Sequence, residues 1–194
     1  MASTGPRPRR FSLPELADER VDEAVKAFVE GPAQDRGRRA PVVPLHAADN
    51  PFAALETRMA WVEALRRESA RTRRYRRSAA VIVVAAIPAR PDAVAHAWLG
   101  RVAGPIAHAL RRTLRETDLV MRASDARFHV LLPETTGREA QKVADRVVAD
   151  CQVWLRAVDA PVVVKGAAAG TGHDTTLEGA LERALSGVGV GAAG

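Results

Sequence analysis

Arg115-Glu116-Thr117-Asp118 puts an arginine and an aspartate, two side chains capable of binding chemistry, three residues apart. An arginine presents a planar fork of donors that matches a phosphate or the Hoogsteen edge of a purine, and an aspartate accepts from N–H donors beside it. Arg122 follows closely enough to serve the same ligand, or to pair with Asp118 alone. The plainer use of these residues is structural: Arg115 offsets the negative end of a helix and Asp118 shapes the turn into a strand. A second concentration of charge lies between Arg66 and Arg77, with 7 arginines in 12 residues around Tyr75. Such a patch suits phosphates with an aromatic interleaved, and equally suits the C-terminus of a helix. Cys151 has no histidine or acid at a catalytic spacing and reads as an inert buried thiol.

The elements that must position these residues follow from periodicity. Asp118–Arg122 and Phe128–Leu132 are two β-branched and aromatic runs separated by Ala123–Arg127, which predicts a β-hairpin entered from a helix ending near Arg115. Val81–Ile87 is a continuous apolar run, expected of a central strand covered on both faces. The helix from about Val94 to Arg115 carries the stripe Leu99, Val102, Ala103, Ile106, Leu110 and Leu114; Pro105 either kinks it or occupies its first turn. An earlier helix runs to about Tyr75, with Met59, Val62, Leu65 and Ser69 on one stripe. Thr136 with Glu139 forms a capping box before a helix with Ala140, Val143, Ala144 and Val147 inward, continued by Val153 and Trp154. A strand over Ala160–Ala169 and a closing helix over Leu177–Leu185 complete the set.

Residues 1–48 form a separate, partly disordered segment with one amphipathic helix between Leu13 and Glu30, stopped by Gly31-Pro32 and followed by an extended stretch, Arg36–Leu45. That helix serves dimerisation or docking in one reading, and in the plainer one only packs on the domain. Residues 49–186 form the domain and 187–194 a flexible tail. The chain of 194 residues is long enough for one real core. Its net charge of +6 and pI near 10.6 favour acidic partners. Yet the 29 basic residues are 26 Arg and 3 Lys, a bias that GC-rich coding also produces, so basicity decides nothing. The longest apolar run, Ala79–Ala89, contains Pro88 and is too short to span a bilayer, and no apolar stretch follows the N-terminal arginines as in a signal peptide. One cysteine excludes an internal disulfide and fits a reducing, cytoplasmic setting.

From Asn50 the chain resembles the GGDEF family, the bacterial diguanylate cyclase domains that condense two GTP into cyclic di-GMP. NPFAALETRMAW is similar to the family's opening motif, with Phe52, Leu55, Arg58 and Trp61 in matching positions and Ala54 and Thr57 replacing its glycine and asparagine. The hairpin resembles the signature itself, with Ser124, Asp125, Ala126, Arg127 and Phe128 where the family has GGDEF, and only Phe128 kept. Arg115 and Asp118 stand in the register of the family's inhibitory RxxD site for cyclic di-GMP, and Arg122 matches a family arginine.

The resemblance implies an α/β (α+β) fold with a central, mostly antiparallel five-stranded sheet flanked by helices. It also implies that the cyclase machinery is missing. Family members hold two divalent metals with an acid after the central strand, and hard Mg²⁺ needs such oxygen ligands. Here Ala85, Ala86 and Ile87 stand there, and Arg127 puts a positive charge where relatives carry a negative one. The expectation is therefore a degenerate, non-catalytic regulatory domain with no cofactor and no metal, a cyclic di-GMP receptor through Arg115, Asp118 and Arg122. The alternative is a scaffold that binds an unidentified protein without a ligand, with a homodimer compatible with either. An Arg-rich nucleic-acid binder ranks third.

Overall fold

The computed structural model describes residues 52–90, 92–172 and 175–189. The amphipathic helix expected over 13–30, the stretch 36–45 and the tail beyond residue 189 lie outside the described residues.

A ten-residue strand, β1 (Ala79–Pro88), forms the centre of the sheet, and its first eight residues are buried. No residue of Ala79–Ala86 carries a polar side chain, which is what a strand covered on both faces requires. It is flanked antiparallel by β3 (Arg127–Pro133) on one side and β4 (Val162–Gly170) on the other, and β2 (Leu119–Ser124) pairs antiparallel with β3. The order is β2-β3-β1-β4.

Among the described residues the sheet has four strands rather than the expected five. The outer edge of β2 is met, among the described residues, only by an isolated parallel bridge, Glu56 with Met121, where the Glu56 N–H donates to the Val120 carbonyl at 2.7 Å. Thr57 then caps the following helix through its hydroxyl, so the chain leaves the sheet before a strand can form. The turn at Phe52–Ala54 closes without the family's glycine, with Leu55 N–H bonded to the Phe52 carbonyl at 3.1 Å.

Helix α1 (Arg58–Tyr75) buries Trp61, Ala64 and Leu65 against Ala79, Val81, Met121 and Leu131, and Ser69 is buried on the same helix. The expected stripe shares only Leu65 and Ser69 with this face. Met59 is 80% exposed and Val62 37%. The segment expected as one interrupted helix is two: α2 (Ala93–Arg101) and α3 (Ala103–Thr113), with Pro105 in the first turn of α3, where its missing N–H costs nothing. Helix α4 (Gly137–Ala157) opens with the capping box: Thr136 Oγ1 accepts from Glu139 N–H, and Glu139 Oε2 accepts from Thr136 N–H at 2.9 Å. It lies along β4 and β1, burying Ala140, Ala144, Val147 and Trp154, while Val153 faces outward. Helix α5 (Leu177–Gly187) packs Leu177 into the α1 cluster and Ala184 against Val83 and Ala85.

Gly137 and Gly170 allow α4 to start directly over the end of β4. A Cβ on Gly170 would sit 2.6 Å from the Gly137 nitrogen.

Candidate ligand site and hairpin

Two regions carry the residues singled out by the sequence, and they lie apart. The first is the hairpin tip beside the end of β1. The strands reach further than their apolar runs, so the connection shortens to Asp125-Ala126, with a register shift between Arg122 and Ser124. Neither turn residue enters the left-handed region; the irregularity sits in the strand instead, as a bulge permits. Ala85 pairs with Arg127, and the Ala86 N–H donates to the Ala126 carbonyl at 2.8 Å. The structure thus brings Ala85–Ile87 together with Ser124–Arg127. Phe128 is fully buried, whereas the Asp125 side chain is 83% exposed and accepts from Arg122 Nη2 at 3.1 Å. Arg122 also donates to the Ser124 carbonyl and lies over the Phe52 ring, 4.9 Å from its centroid. Its partners are therefore those of the hairpin tip, and it does not line the cavity around Arg115 and Asp118.

The second region is that cavity, about 480 Å³, between the loop entering β2, the end of β3 and the outer face of α4. Thr113, the last residue of α3, marks its rim, and Leu114, with ψ of 158°, turns the chain out of the helix. The Arg115 N–H then donates to Asp118 Oδ2 at 2.8 Å and the Asp118 N–H to the Arg115 carbonyl at 3.1 Å, a turn closed on its own side chain. This contact fixes Asp118 while leaving the Arg115 guanidinium exposed. Burial raises the Asp118 carboxyl above its ordinary value, against the lowering by the Arg115 N–H and charge. Lys142 and Arg146, one turn apart on α4, line the same cavity, as does Glu139. Glu139 is held below its ordinary value first by the Thr136 N–H, then by the Thr136 hydroxyl, with the charges of Lys142 and Arg115 adding to the effect.

The floor is apolar, from Leu132 and Val143. Arg115, Lys142 and Arg146 line the cavity together with Asp118, Glu139 and Glu134, the last already paired with Arg71 and Arg77, so cations for phosphate and a carboxylate for N–H donors, Asp118, share one space. Sequence reasoning missed Lys142 and Arg146. Their i, i+4 spacing opposite the apolar stripe of α4 was visible, but the proximity of that face to Arg115 exists only in the fold.

Elsewhere, Cys151 is buried on α4, and burial pushes its thiol up to about 12, which keeps it protonated. Among the described residues no three of His, Cys, Asp and Glu converge as a metal site would require, and no helix is long and apolar enough to cross a membrane.

The family model for the diguanylate cyclase GGDEF domain matches residues 51–184. The chain belongs to that family. Solved GGDEF structures share its fold. The GGDEF domain of YfiN (TpbB) from Pseudomonas aeruginosa is 25% identical, with 73% of this chain and 86% of that one covered and a TM-score of 0.56. The diguanylate cyclase SiaD from the same organism, solved with its activator SiaC, is 25% identical over 72% of this chain and 55% of its own, also with a TM-score of 0.56. The GGDEF domain of DgcB from Caulobacter crescentus, solved with c-di-GMP, is 17% identical, with 78% and 90% covered and a TM-score of 0.55. No curated protein sequence matches the chain.

Proposed function

We propose that this GGDEF domain is a non-catalytic receptor for cyclic di-GMP, with the ligand held between Arg115 and Asp118 on one side and Lys142 and Arg146 on the other. The single observation that carries the reading is the cavity of about 480 Å³ that joins the turn Arg115–Asp118 to the basic face of α4. Cyclic di-GMP presents two phosphates and two guanines. Guanidinium forks match the phosphates and the Hoogsteen edges, and a carboxylate matches the guanine N1–H and N2–H donors. The volume lies within the range of sites that enclose small molecules. The c-di-GMP complex of the DgcB GGDEF domain is a precedent for this ligand on this fold.

The hairpin supports the other half of the reading. Two divalent cations and a triphosphate need converging oxygen ligands. Ala85, Ala86, Ile87 and Ala126 bring none in their side chains, and Asp125 is turned to Arg122. The half-buried Arg127 adds a charge that opposes a cation. This donor set does not fit the metal pair.

A second reading, a ligand-independent docking domain, draws on Met59 and Val62, exposed one turn apart on α1. Equilibrium dialysis with labelled cyclic di-GMP separates the two. Saturable binding that weakens about tenfold or more in Arg146→Ala supports the receptor. Absence of binding at ligand concentrations far above the micromolar range overturns it. Incubation with GTP and Mg²⁺ should yield no cyclic di-GMP, and a product peak would refute the non-catalytic half.

A further inference from the structure

The cavity at Arg115 is electrically balanced by its own lining. Arg115, Lys142 and Arg146 bring three positive charges, and Asp118, Glu134 and Glu139 bring three negative ones. Cyclic di-GMP carries a negative charge on each of its two phosphates, so a balanced lining offers it no net attraction. Two of the three carboxylates are engaged elsewhere. Glu139 Oε2 accepts from the Thr136 N–H at 2.9 Å and from the Thr136 hydroxyl at 2.8 Å, at the start of α4. Glu134 is engaged from outside the cavity: its Oε1 accepts from Arg71 Nη2 at 2.5 Å and from Arg77 Nη1. Neither arginine is among the residues lining the cavity.

The elements that bring this contact together are distant in the chain. Arg71 lies on α1 and Arg77 just beyond its end, 63 and 57 residues before Glu134. Glu134 follows Pro133, the last residue of β3, with φ 50°, a left-handed conformation that a residue with a Cβ holds only where its surroundings fix it. The next residue, Thr135, is buried and its hydroxyl donates to the Pro133 carbonyl at 2.9 Å, which closes the turn. Arg71 is shared with Glu68 through a longer contact of 3.7 Å, so the pair of arginines meets Glu134 with one of them partly offset. With Glu134 neutralised in this way, the balance of the cavity shifts to positive, the sign that a ligand with two phosphates requires.

We propose that Arg71 and Arg77 are positioning residues of the cyclic di-GMP site, which set its affinity without touching the ligand by holding and neutralising Glu134. The inference rests on the receptor reading of the cavity. It gives two members of the arginine cluster between Arg66 and Arg77 a task that neither a helix terminus nor a nucleic-acid surface requires. A latch that only ties the end of α1 to the loop after β3 would act on stability instead, and exposed ion pairs of this kind contribute little there: the side chains of Arg71, Arg77 and Glu134 are 45%, 58% and 47% exposed.

Calorimetric titration with cyclic di-GMP of four full-length chains tests the assignment: the parent, Glu134→Gln, Arg71→Gln/Arg77→Gln and the triple variant. Binding should fall about tenfold in the double variant, in which a free carboxylate faces the phosphates, and stay within about threefold of the parent in Glu134→Gln. The triple variant should return to within about threefold of Glu134→Gln, a rescue that neither a structural role nor a general loss of positive charge produces. Arg71→Gln alone should fall between the parent and the double variant, which keeps the test open if the pair lowers the thermal midpoint. Undiminished binding in the double variant, or a triple variant as weak as the double, overturns the proposal while the parent still binds. Absence of binding in the parent overturns the receptor reading and the proposal with it.

Discussion

His129 should make the domain acid-sensitive in a way that one substitution removes. It lies on β3 opposite Val83 of β1 and Met121 of β2, beneath Trp61, with ring centroids 6.1 Å apart. It is 8% exposed, and among the described residues neither ring nitrogen has a hydrogen-bond partner. Burial first, and the Arg127 charge second, bring it down from 6.5 to about 4. Protonation is thus refused by the folded state and accepted by the unfolded one. The contribution to stability is intact above pH 6.5, falls as pH drops, and reaches its full loss of about 3 kcal/mol below pH 4. At pH 5 the loss is already about 2 kcal/mol. Glu139 contributes in the same sense and Asp118 in the opposite one, so only a comparison isolates the histidine. Urea unfolding at pH 7.5 and pH 5.0 of the parent and of His129→Phe provides it. The parent should lose about 2 kcal/mol more than the variant between the two conditions. Equal losses would refute the reasoning.

Further outcomes follow from local geometry. Thr136→Ala removes the acceptor for the Glu139 N–H and its half of the capping box, and should cost about 1 kcal/mol in chemical unfolding with little change in cyclic di-GMP affinity. Gly170→Ala places a methyl group 2.6 Å from the Gly137 backbone nitrogen, so α4 must shift; a loss of about 1–3 kcal/mol is expected, and an unchanged midpoint would show that the contact yields freely. Lys142→Ala should weaken cyclic di-GMP binding by about threefold to tenfold without changing stability, since the side chain meets solvent on the outer face of α4.

Local rules carried much of the sequence reading. The apolar run Val81–Ile87, the capping pair Thr136 and Glu139, and the placement of Pro105 depend on neighbours within a turn or on simple burial, and each has its counterpart in β1, α4 and α3. The face of α1 was misjudged because Met59 and Val62 are its large aliphatics. The fold buries Trp61 and Ala64 in their place and keeps the expected Leu65 and Ser69 inward, where α5 approaches closely enough for Ser69 to bond Glu178 at 3.2 Å. The five-turn-residue hairpin tip became two, because pairing along β3 extends the strands past their apolar cores to Ser124 and Arg127. On spacing alone Arg122 serves either the ligand of Arg115 or a pair with Asp118. In the fold it lies over the distant Phe52 ring and donates to Asp125 three residues on, and the first of these contacts exists only in the fold. Lys142 and Arg146 were illegible for the same reason: more than twenty residues separate them from Arg115.

The central claim rests on Arg115. Calorimetric titration of the purified chain with cyclic di-GMP, alongside Arg115→Ala and with GTP as the comparison ligand, tests it most directly. The account predicts saturable binding of cyclic di-GMP in the micromolar range, at least about tenfold weaker in the variant, and no comparable response to GTP. Absence of heat at high cyclic di-GMP concentration, or equal affinity in Arg115→Ala, would contradict it.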